Sequence, residues 1–189
     1  MDMKKILFFA IVAMAVSTLF SACSTSKVPG NLQSGVVYNK QVESPEGGVI
    51  LLGPINRQGL LTAPYNSWFD ETYAGYKPRL SELGGVSKML KGVQIVVFMG
   101  TWCSDSQQEV PQFYQILDAM KFPESQLRVF AVHNDPAQPK TTPGGEHKVF
   151  QIEYVPTFIF MRDGKELGRI VEYPKKSLEA DMRAILSKE

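Results

Sequence analysis

The chain has 189 residues, of which 44% are hydrophobic and 21% are charged, with 20 Lys and Arg against 19 Asp and Glu. This composition is typical of a globular domain and excludes collagen-like and disordered classes. The small net charge argues against nucleic acid as the main partner, because a phosphate backbone requires a basic excess. Cys23 and Cys103 are the two cysteines. This low number excludes a disulfide-stapled secreted fold and a cysteine-rich zinc site.

Residues 1–22 have the pattern of an export signal. Lys4 and Lys5 precede an uncharged run over residues 6–20, and two small residues follow, directly before Cys23. The run is shorter than the roughly 20 apolar residues that a membrane-spanning helix needs. The sequence Phe-Ser-Ala-Cys that ends at Cys23 resembles a bacterial lipobox, which predicts cleavage before Cys23 and a lipid on its thiol. The alternatives are an ordinary secretory signal with an unrelated Cys23, and a retained membrane anchor.

A lipid on Cys23 would place the chain in the bacterial cell envelope, held to a membrane and facing the periplasm or the cell surface. Ser24 lacks the aspartate associated with inner-membrane retention in some bacteria, which favours the outer membrane. Residues 23–48 are rich in small and polar side chains and predict a flexible tether, with a short strand at residues 36–38. Lipidation would leave Cys103 as the remaining thiol.

Residues 49–77 are expected to form an N-terminal extension of the main domain. Short apolar runs at residues 49–52 and 60–61 predict a hairpin. An aromatic stripe with helical spacing follows and predicts a helix that docks on the core. The stripe consists of Trp68, Phe69, Tyr73 and Tyr76. After Pro78, a second helix is expected to be weakened by Gly84 and Gly85.

The pattern after residue 93 is typical of an α/β fold. It predicts, in chain order, a buried strand, a helix, a second buried strand, a short helix, a β-hairpin turning at an Asp-Gly pair, and a terminal amphipathic helix. These elements fall at Ile95–Phe98, Val110–Met120, Leu127–Val132, His147–Ile152, Thr157–Met161 with Glu166–Val171, and Ser177–Leu186. The order predicts a central mixed β-sheet with helices on both faces.

Cys103 lies where the first buried strand gives way to a helix. The unpaired N–H groups and the dipole of a helix N-terminus favour a thiolate over a thiol. Ser106 is three residues further along and is expected to donate a hydroxyl hydrogen bond to the sulfur. Two competing interpretations are simple helix capping, since Ser104 and Ser106 both have capping-box spacing, and an inert buried Cys103.

These landmarks together resemble the thioredoxin superfamily over about residues 93–189. The helix expected near residues 78–91 is taken as an addition to this region, so the predicted domain covers residues 78–189. They are the apolar strand, Trp102 with Cys103, a helix that contains Pro111, the Val155-Pro156-Thr157 step and the Asp-Gly hairpin. The chain is more narrowly similar to thioredoxin-like lipoproteins of Bacteroidetes-type bacteria, which contain a Gly-Thr-Trp-Cys-x-Asp-Ser stretch. The resemblance implies that Cys103 is the attacking thiol, that Trp102 flanks it, and that Pro156 is the cis proline beside the sulfur.

Two positions depart from the family pattern. Ser106 stands where the second cysteine of Cys-x-x-Cys would be, and Val97 stands where many thioredoxins keep a buried acid. Cys103 could therefore form a mixed disulfide that Ser106 cannot resolve. The expected function is monothiol thiol–disulfide chemistry that requires an external resolving thiol. The expected partners are protein or small-molecule thiols and disulfides, together with the membrane that receives the lipid anchor.

Two other functions remain open from the sequence. A non-catalytic binding module could hold an extended peptide near Pro156, and Cys103 could serve in thiol sensing or homodimerisation. No cofactor is expected. A metal site built from Cys103, His133 or His147 is a minor alternative, because two histidines at this spacing are weak evidence. Asp105 and Glu109 are expected to complement the helix dipole.

Overall fold

The computed structural model describes residues 36–188, so the predicted signal and the predicted lipidation site at Cys23 lie outside it. The strands of this part of the chain are β1 (Gln41–Glu43), β2 (Val49–Leu51), β3 (Gly53–Ile55), β4 (Val93–Met99), β5 (Leu127–Ala131), β6 (Thr157–Arg162) and β7 (Lys165–Val171). The helices are α1 (Arg57–Leu60), α2 (Asn66–Gly75), α3 (Val86–Met89), α4 (Ser104–Ala119), α5 (Glu146–Val149) and α6 (Leu178–Leu186). Within residues 36–188, none of these helices is long and apolar enough to cross a bilayer.

Five of the strands form one mixed sheet in the order β3-β5-β4-β6-β7. The β4–β5 pair is parallel, whereas β3–β5, β4–β6 and β6–β7 are antiparallel. The predicted α/β class with a central mixed sheet is therefore confirmed. The hairpin between β6 and β7 turns at Asp163 and Gly164, which have φ values of 51° and 76°. Those left-handed angles are the ones that an Asp-Gly turn adopts.

β4 is the centre of the sheet and contacts a separate core on each face. Ile95, Val97 and Met99 belong to the larger core, which also contains side chains of α2, α4 and α6. Val96 and Phe98 point to the other face and form a smaller core, against which Trp102 and Cys103 pack. A strand buried on both faces requires a continuous apolar run, which explains the sequence of this segment.

The N-terminal region differs from its sequence prediction in three ways. The predicted strand at residues 36–38 is absent, and β1 begins at Gln41, inside the predicted tether. The hairpin pairs β1 with β2, because Gly47 and Gly48 adopt φ values of 95° and 76° and reverse the chain. The predicted pairing of residues 49–52 with 60–61 is wrong, since Leu60 is the last residue of α1.

The predicted extension shares its core with the predicted main domain. β3 is the edge strand of the central sheet, and Leu51, Ile55 and Phe69 lie in the same hydrophobic core as β4 and α4. The aromatic stripe forms the predicted helix α2, with Phe69 stacked on Tyr73 at 5.9 Å between ring centroids. The second predicted helix shrinks to α3, which starts only after Gly85 at φ 83°.

An ion pair ties α1 to the end of α4. The Arg57 guanidinium donates two hydrogen bonds to the Asp118 carboxylate, at 2.6 and 2.7 Å, and lies 4.6 Å from the centroid of the Tyr114 ring. Tyr73 Oη donates a third hydrogen bond to Asp118 at 2.6 Å. Burial alone would raise the pKa of Asp118, but hydrogen bonds from Arg57 and Tyr73 and the charge of Arg57 outweigh it and lower the pKa below its ordinary value.

Asp118→Asn is expected to destabilise the fold at neutral pH by on the order of 1 kcal/mol, because the pair is partly exposed. A folded-state pKa below the unfolded value of about 3.9 gives stability that is present above that value and is lost as the pH falls through the folded pKa. Urea unfolding of both proteins at pH 7 and pH 3 measures the difference. A stability gap that stays constant between the two pH values would contradict this account. The control is Asp163→Asn, which removes an exposed carboxylate from the β6–β7 turn.

Candidate functional site

Cys103 is the N-cap residue of α4, a helix of 16 residues. Its backbone is extended, with φ −92° and ψ 123°, and its N–H donates to the Gly100 carbonyl at 3.0 Å. The tight turn between β4 and α4 thereby brings the sulfur to the helix N-terminus, where backbone N–H groups favour a negative charge. The side chain is partly exposed, so the predicted alternative is wrong in placing Cys103 in the buried interior.

Neither of the two predicted capping boxes forms. The helix begins three residues earlier than an N-cap at Ser106 requires. Cys103 rather than Ser104 occupies the N-cap position and makes no side-chain capping bond. Asp105 is in the first turn of α4, as expected. The pKa of Glu109 is raised, first because burial penalises its carboxylate and second because the charge of Asp105 lies nearby.

Ser106 is fully buried beneath the cysteine turn. Its Oγ accepts a hydrogen bond from the Gly100 N–H at 3.1 Å. The expected bond from the Ser106 hydroxyl to the sulfur is not among the hydrogen bonds of residues 36–188, so that prediction is wrong in its geometry. The reason is that the Gly100 amide, at the end of β4, needs an acceptor inside the turn. Ser106 therefore holds the turn together from below.

The Cys103 Sγ lies 3.4 Å from the Val155 carbonyl oxygen, to which its thiol donates. The peptide bond between Val155 and Pro156 is cis, as the family resemblance implied. Pro156 O accepts a hydrogen bond from the Glu172 N–H at 2.7 Å, which fixes this loop to the residues after β7. Two segments far apart in sequence, residues 103 and 155–156, thus meet at one end of the sheet.

Trp102 lies beside the thiol and is held by two contacts. Its indole Nε1 donates to the Val132 carbonyl at 3.1 Å. The ring also lies directly over Gly100, where an added Cβ would come within 2.6 Å of an indole carbon. Any larger residue at position 100 would displace the ring. This steric role of Gly100 escaped the sequence reasoning, and the glycine directly before Thr-Trp-Cys was the available signal.

The β1–β2 hairpin is fastened to the same turn. Thr101 is buried, and its Oγ1 accepts a hydrogen bond from the Leu51 N–H at 3.2 Å, while its carbonyl accepts one from Gln107 Nε2 at 2.8 Å. Asn134, two residues after Val132, donates to Ser44 Oγ at 2.7 Å. Ser44 falls within the predicted tether, so these attachments were not predicted. In the sequence, a threonine that fastens a loop looks the same as a threonine that only packs in the core.

The two histidines are engaged in loops. His133 Nδ1 accepts the Asp135 N–H, and His147 Nδ1 accepts the Thr142 N–H, each at 2.9 Å. Among residues 36–188, no group of three His, Cys, Asp or Glu side chains is arranged to hold a metal ion. His133 and His147 act here as acceptors that shape the long loop between β5 and β6.

Comparison with known proteins assigns the family. The thioredoxin family matches residues 86–184. A thioredoxin H-type of Picea mariana is 27% identical over 111 residues, which are 59% of this chain and 78% of the relative. Reduced thioredoxin 2 from Pseudomonas aeruginosa is 25% identical, with 60% of this chain and 94% of that structure covered, at a TM-score of 0.36. Oxidised thioredoxin O2 from Arabidopsis thaliana is 18% identical, with 56% and 90% covered, at a TM-score of 0.38.

The region that matches the family includes the cysteine turn, α4 and the cis-proline loop, and it makes up more than half of the chain. The matched region runs from α3 and β4 through Cys103 to the β6–β7 hairpin and most of α6. On these grounds the chain belongs to the thioredoxin family.

Proposed function

We propose that this protein is an envelope-anchored thioredoxin-like protein that performs monothiol thiol–disulfide exchange through Cys103, with a resolving thiol supplied from outside. Membership of the thioredoxin family supports a function of the thiol–disulfide oxidoreductase type. One observation carries the monothiol part. The partly exposed sulfur of Cys103 lies at the N-terminus of α4, beside the cis-Pro156 loop, and the side chain three residues further along is Ser106.

The proposed exchange consists of two balanced substitutions at sulfur. The Cys103 thiolate attacks one sulfur of a partner disulfide, forms a mixed disulfide and releases the other sulfur as a thiolate. An external thiolate then attacks the partner sulfur of the mixed disulfide and releases Cys103 as a thiolate. The two steps exchange one disulfide for another. Net reduction of the partner requires a second external thiolate. It attacks the external sulfur of the new disulfide, releases the second partner sulfur as a thiolate and leaves the two external thiols joined as a disulfide.

The surroundings of the sulfur support the first step and oppose it in one respect. Helix N–H groups at the start of α4 stabilise a thiolate at the N-cap position. The carboxylate of Asp105, in the first turn, has the same sign of charge as the thiolate and acts against it. Asp105 is exposed, so water and salt screen its charge.

Envelope anchoring through Cys23 remains part of the proposal and rests on the sequence. A charged start, an uncharged run and small residues precede Cys23 in the arrangement of a lipoprotein signal. The folded part begins near residue 39, since Asn39 N–H donates to Pro54 O at 3.0 Å. The tether that remains between the lipid and the fold is therefore shorter than the residues 23–48 that the sequence alone assigned to it.

Ser106→Cys is expected to convert the protein into a dithiol enzyme. A thiol at position 106 would attack the mixed disulfide on Cys103 and release the partner, so the mixed disulfide should stop accumulating. Reduction of a protein disulfide with excess dithiothreitol should become faster over many turnovers, as followed by absorbance or turbidity. The matched control is Ser104→Cys, which places the new thiol on an exposed position of the first turn. Equal rates in both variants and the wild type would contradict the assigned role of position 106.

A second function is favoured by a specific observation at the same loop. Within the described residues, the Val155 N–H takes part in no hydrogen bond, although the residue itself is buried. An unpaired N–H next to Pro156 could receive the carbonyl of an extended peptide, as in strand addition. This would be a binding module that holds a peptide without exchanging disulfides.

Cys103→Ser separates the two functions. For monothiol exchange, covalent capture of a disulfide-containing peptide on non-reducing gels should be abolished, because no sulfur remains to form the mixed disulfide. For the binding module, peptide affinity measured by calorimetry should persist in this variant and in excess reductant. The control is Ser104→Ala, which alters the neighbouring exposed side chain and keeps the thiol. Covalent capture that survives in Cys103→Ser would overturn the exchange mechanism.

A further inference from the structure

Exposed lysines cover one end of the central sheet. At this end β4 begins, and its first residue Val93 lies opposite Arg162, the last residue of β6. The start of β5 lies at the same end, because β4 and β5 are parallel. We call this surface the basic end and define it by four exposed lysines, Lys88, Lys91, Lys121 and Lys165. Within residues 36–188, none of the four is close enough to a carboxylate to form an ion pair.

The charge of the basic end is only partly cancelled locally. Three carboxylates belong to the same end of the fold. Asp118 and Glu124 share the single guanidinium of Arg57, and Asp163 in the turn between β6 and β7 offsets one further positive charge, so two of the four lysine charges remain. The whole chain has a formal charge of only +1. The basic end therefore keeps a net positive charge, and such a surface attracts anions.

A cavity of about 260 Å³ opens among these lysines. Its lining combines Lys91 and Lys121 with the apolar side chains of Leu90, Met120 and Phe122. Leu90 and Phe122 also belong to the larger core of the domain. Cationic side chains over an apolar floor suit an amphiphilic anion, because the charged group meets ammonium groups while the adjoining carbon chain contacts hydrocarbon.

The chain enters the folded part on the side of the basic end. Asn39 is fastened to Asn56 by two hydrogen bonds of 2.8 and 3.0 Å, and α1, which starts next to Asn56, reaches Glu124 through Arg57. β1 runs antiparallel to β2. The residues before β1 therefore lie toward α1. Residues 24–38 connect Asn39 to Cys23, and a chain of that length spans at most about 55 Å.

Cys103 lies at the opposite end of the sheet. It follows β4 by four residues, and β4 runs from Val93 at the basic end to Met99, a length of about 20 Å at the usual rise per residue. If the domain rests on the membrane through the basic end, where the tether enters the fold, the thiol faces away from that membrane.

We propose that the basic end docks on the anionic phospholipid headgroups of the membrane that holds the lipid anchor. A lysine close to an anionic bilayer surface strengthens binding about fivefold, so several lysines together orient the tethered domain. The cavity between Lys91 and Lys121 receives one headgroup. The orientation of the domain on the membrane rests on the envelope anchoring in the proposed function. The docking itself does not involve the chemistry of Cys103. The docked domain presents Cys103 to partners away from the lipid.

Hydrogen exchange of the full chain on vesicles tests this orientation. The chain is bound to vesicles of phosphatidylcholine alone and to vesicles that also contain phosphatidylglycerol, and the apolar N-terminal segment attaches it to both kinds. Peptides covering residues 86–92 and 119–126 should exchange more slowly on the anionic vesicles only, whereas residues 101–107 should be unaffected. Raising the salt concentration should remove the difference, because it screens the lysines.

Two charge-reversal variants complete the experiment. Lys88→Glu combined with Lys91→Glu and Lys121→Glu should lose the difference between the two kinds of vesicle. The matched variant Lys140→Glu with Lys175→Glu and Lys176→Glu, at the Cys103 end, should retain it. Equal exchange on both vesicles, or protection of residues 101–107 instead, would overturn the proposal. The same measurement in Cys103→Ser should be unchanged, so a failure of thiol exchange and a failure of docking give different results.

Discussion

The pairing of β4 between β5 and β6 is the constraint on which the site depends. β4 is hydrogen-bonded on both edges and buried on both faces, so its last residue, Met99, occupies a fixed position. The turn that follows is closed from below by Ser106, which accepts the Gly100 N–H. A fixed strand and a closed turn together determine where α4 begins. The sulfur of Cys103 therefore reaches the helix N-terminus and the cis-Pro156 loop.

Much of the domain after residue 93 could be predicted from the sequence, because its signals are local. The apolar run of β4 and the Asp-Gly pair before Lys165 each determine their own structure. The region before residue 60 could not be predicted in the same way. β1 and β2 have three residues each and are held by attachments such as the Leu51–Thr101 bond, which join positions 50 residues apart. No periodicity within a short strand indicates such a partner.

The residues of the candidate site also separate into those that the sequence predicts and those that it does not. Cys103, Trp102 and Pro156 were found from motifs, and the structure brings all three to one end of the sheet. The role of Ser106 was assigned incorrectly, because the acceptor that the Gly100 amide needs is visible only in three dimensions. Ser106 holds the turn through its hydroxyl. Because this side chain is a serine, the position has no second thiol. One residue thus serves the fold while it limits the chemistry to a single sulfur.

The most direct measurement is the intact mass of the wild-type protein after reaction with a peptide that contains one disulfide. The disulfide joins two separate peptide chains, so monothiol exchange predicts an adduct of one of these chains (the peptide half) per protein. The adduct should map to Cys103 and persist after the excess peptide is removed. Addition of glutathione should then release the peptide half and restore the original mass. An adduct that resolves without any added thiol, or the complete absence of an adduct at Cys103, would contradict monothiol exchange.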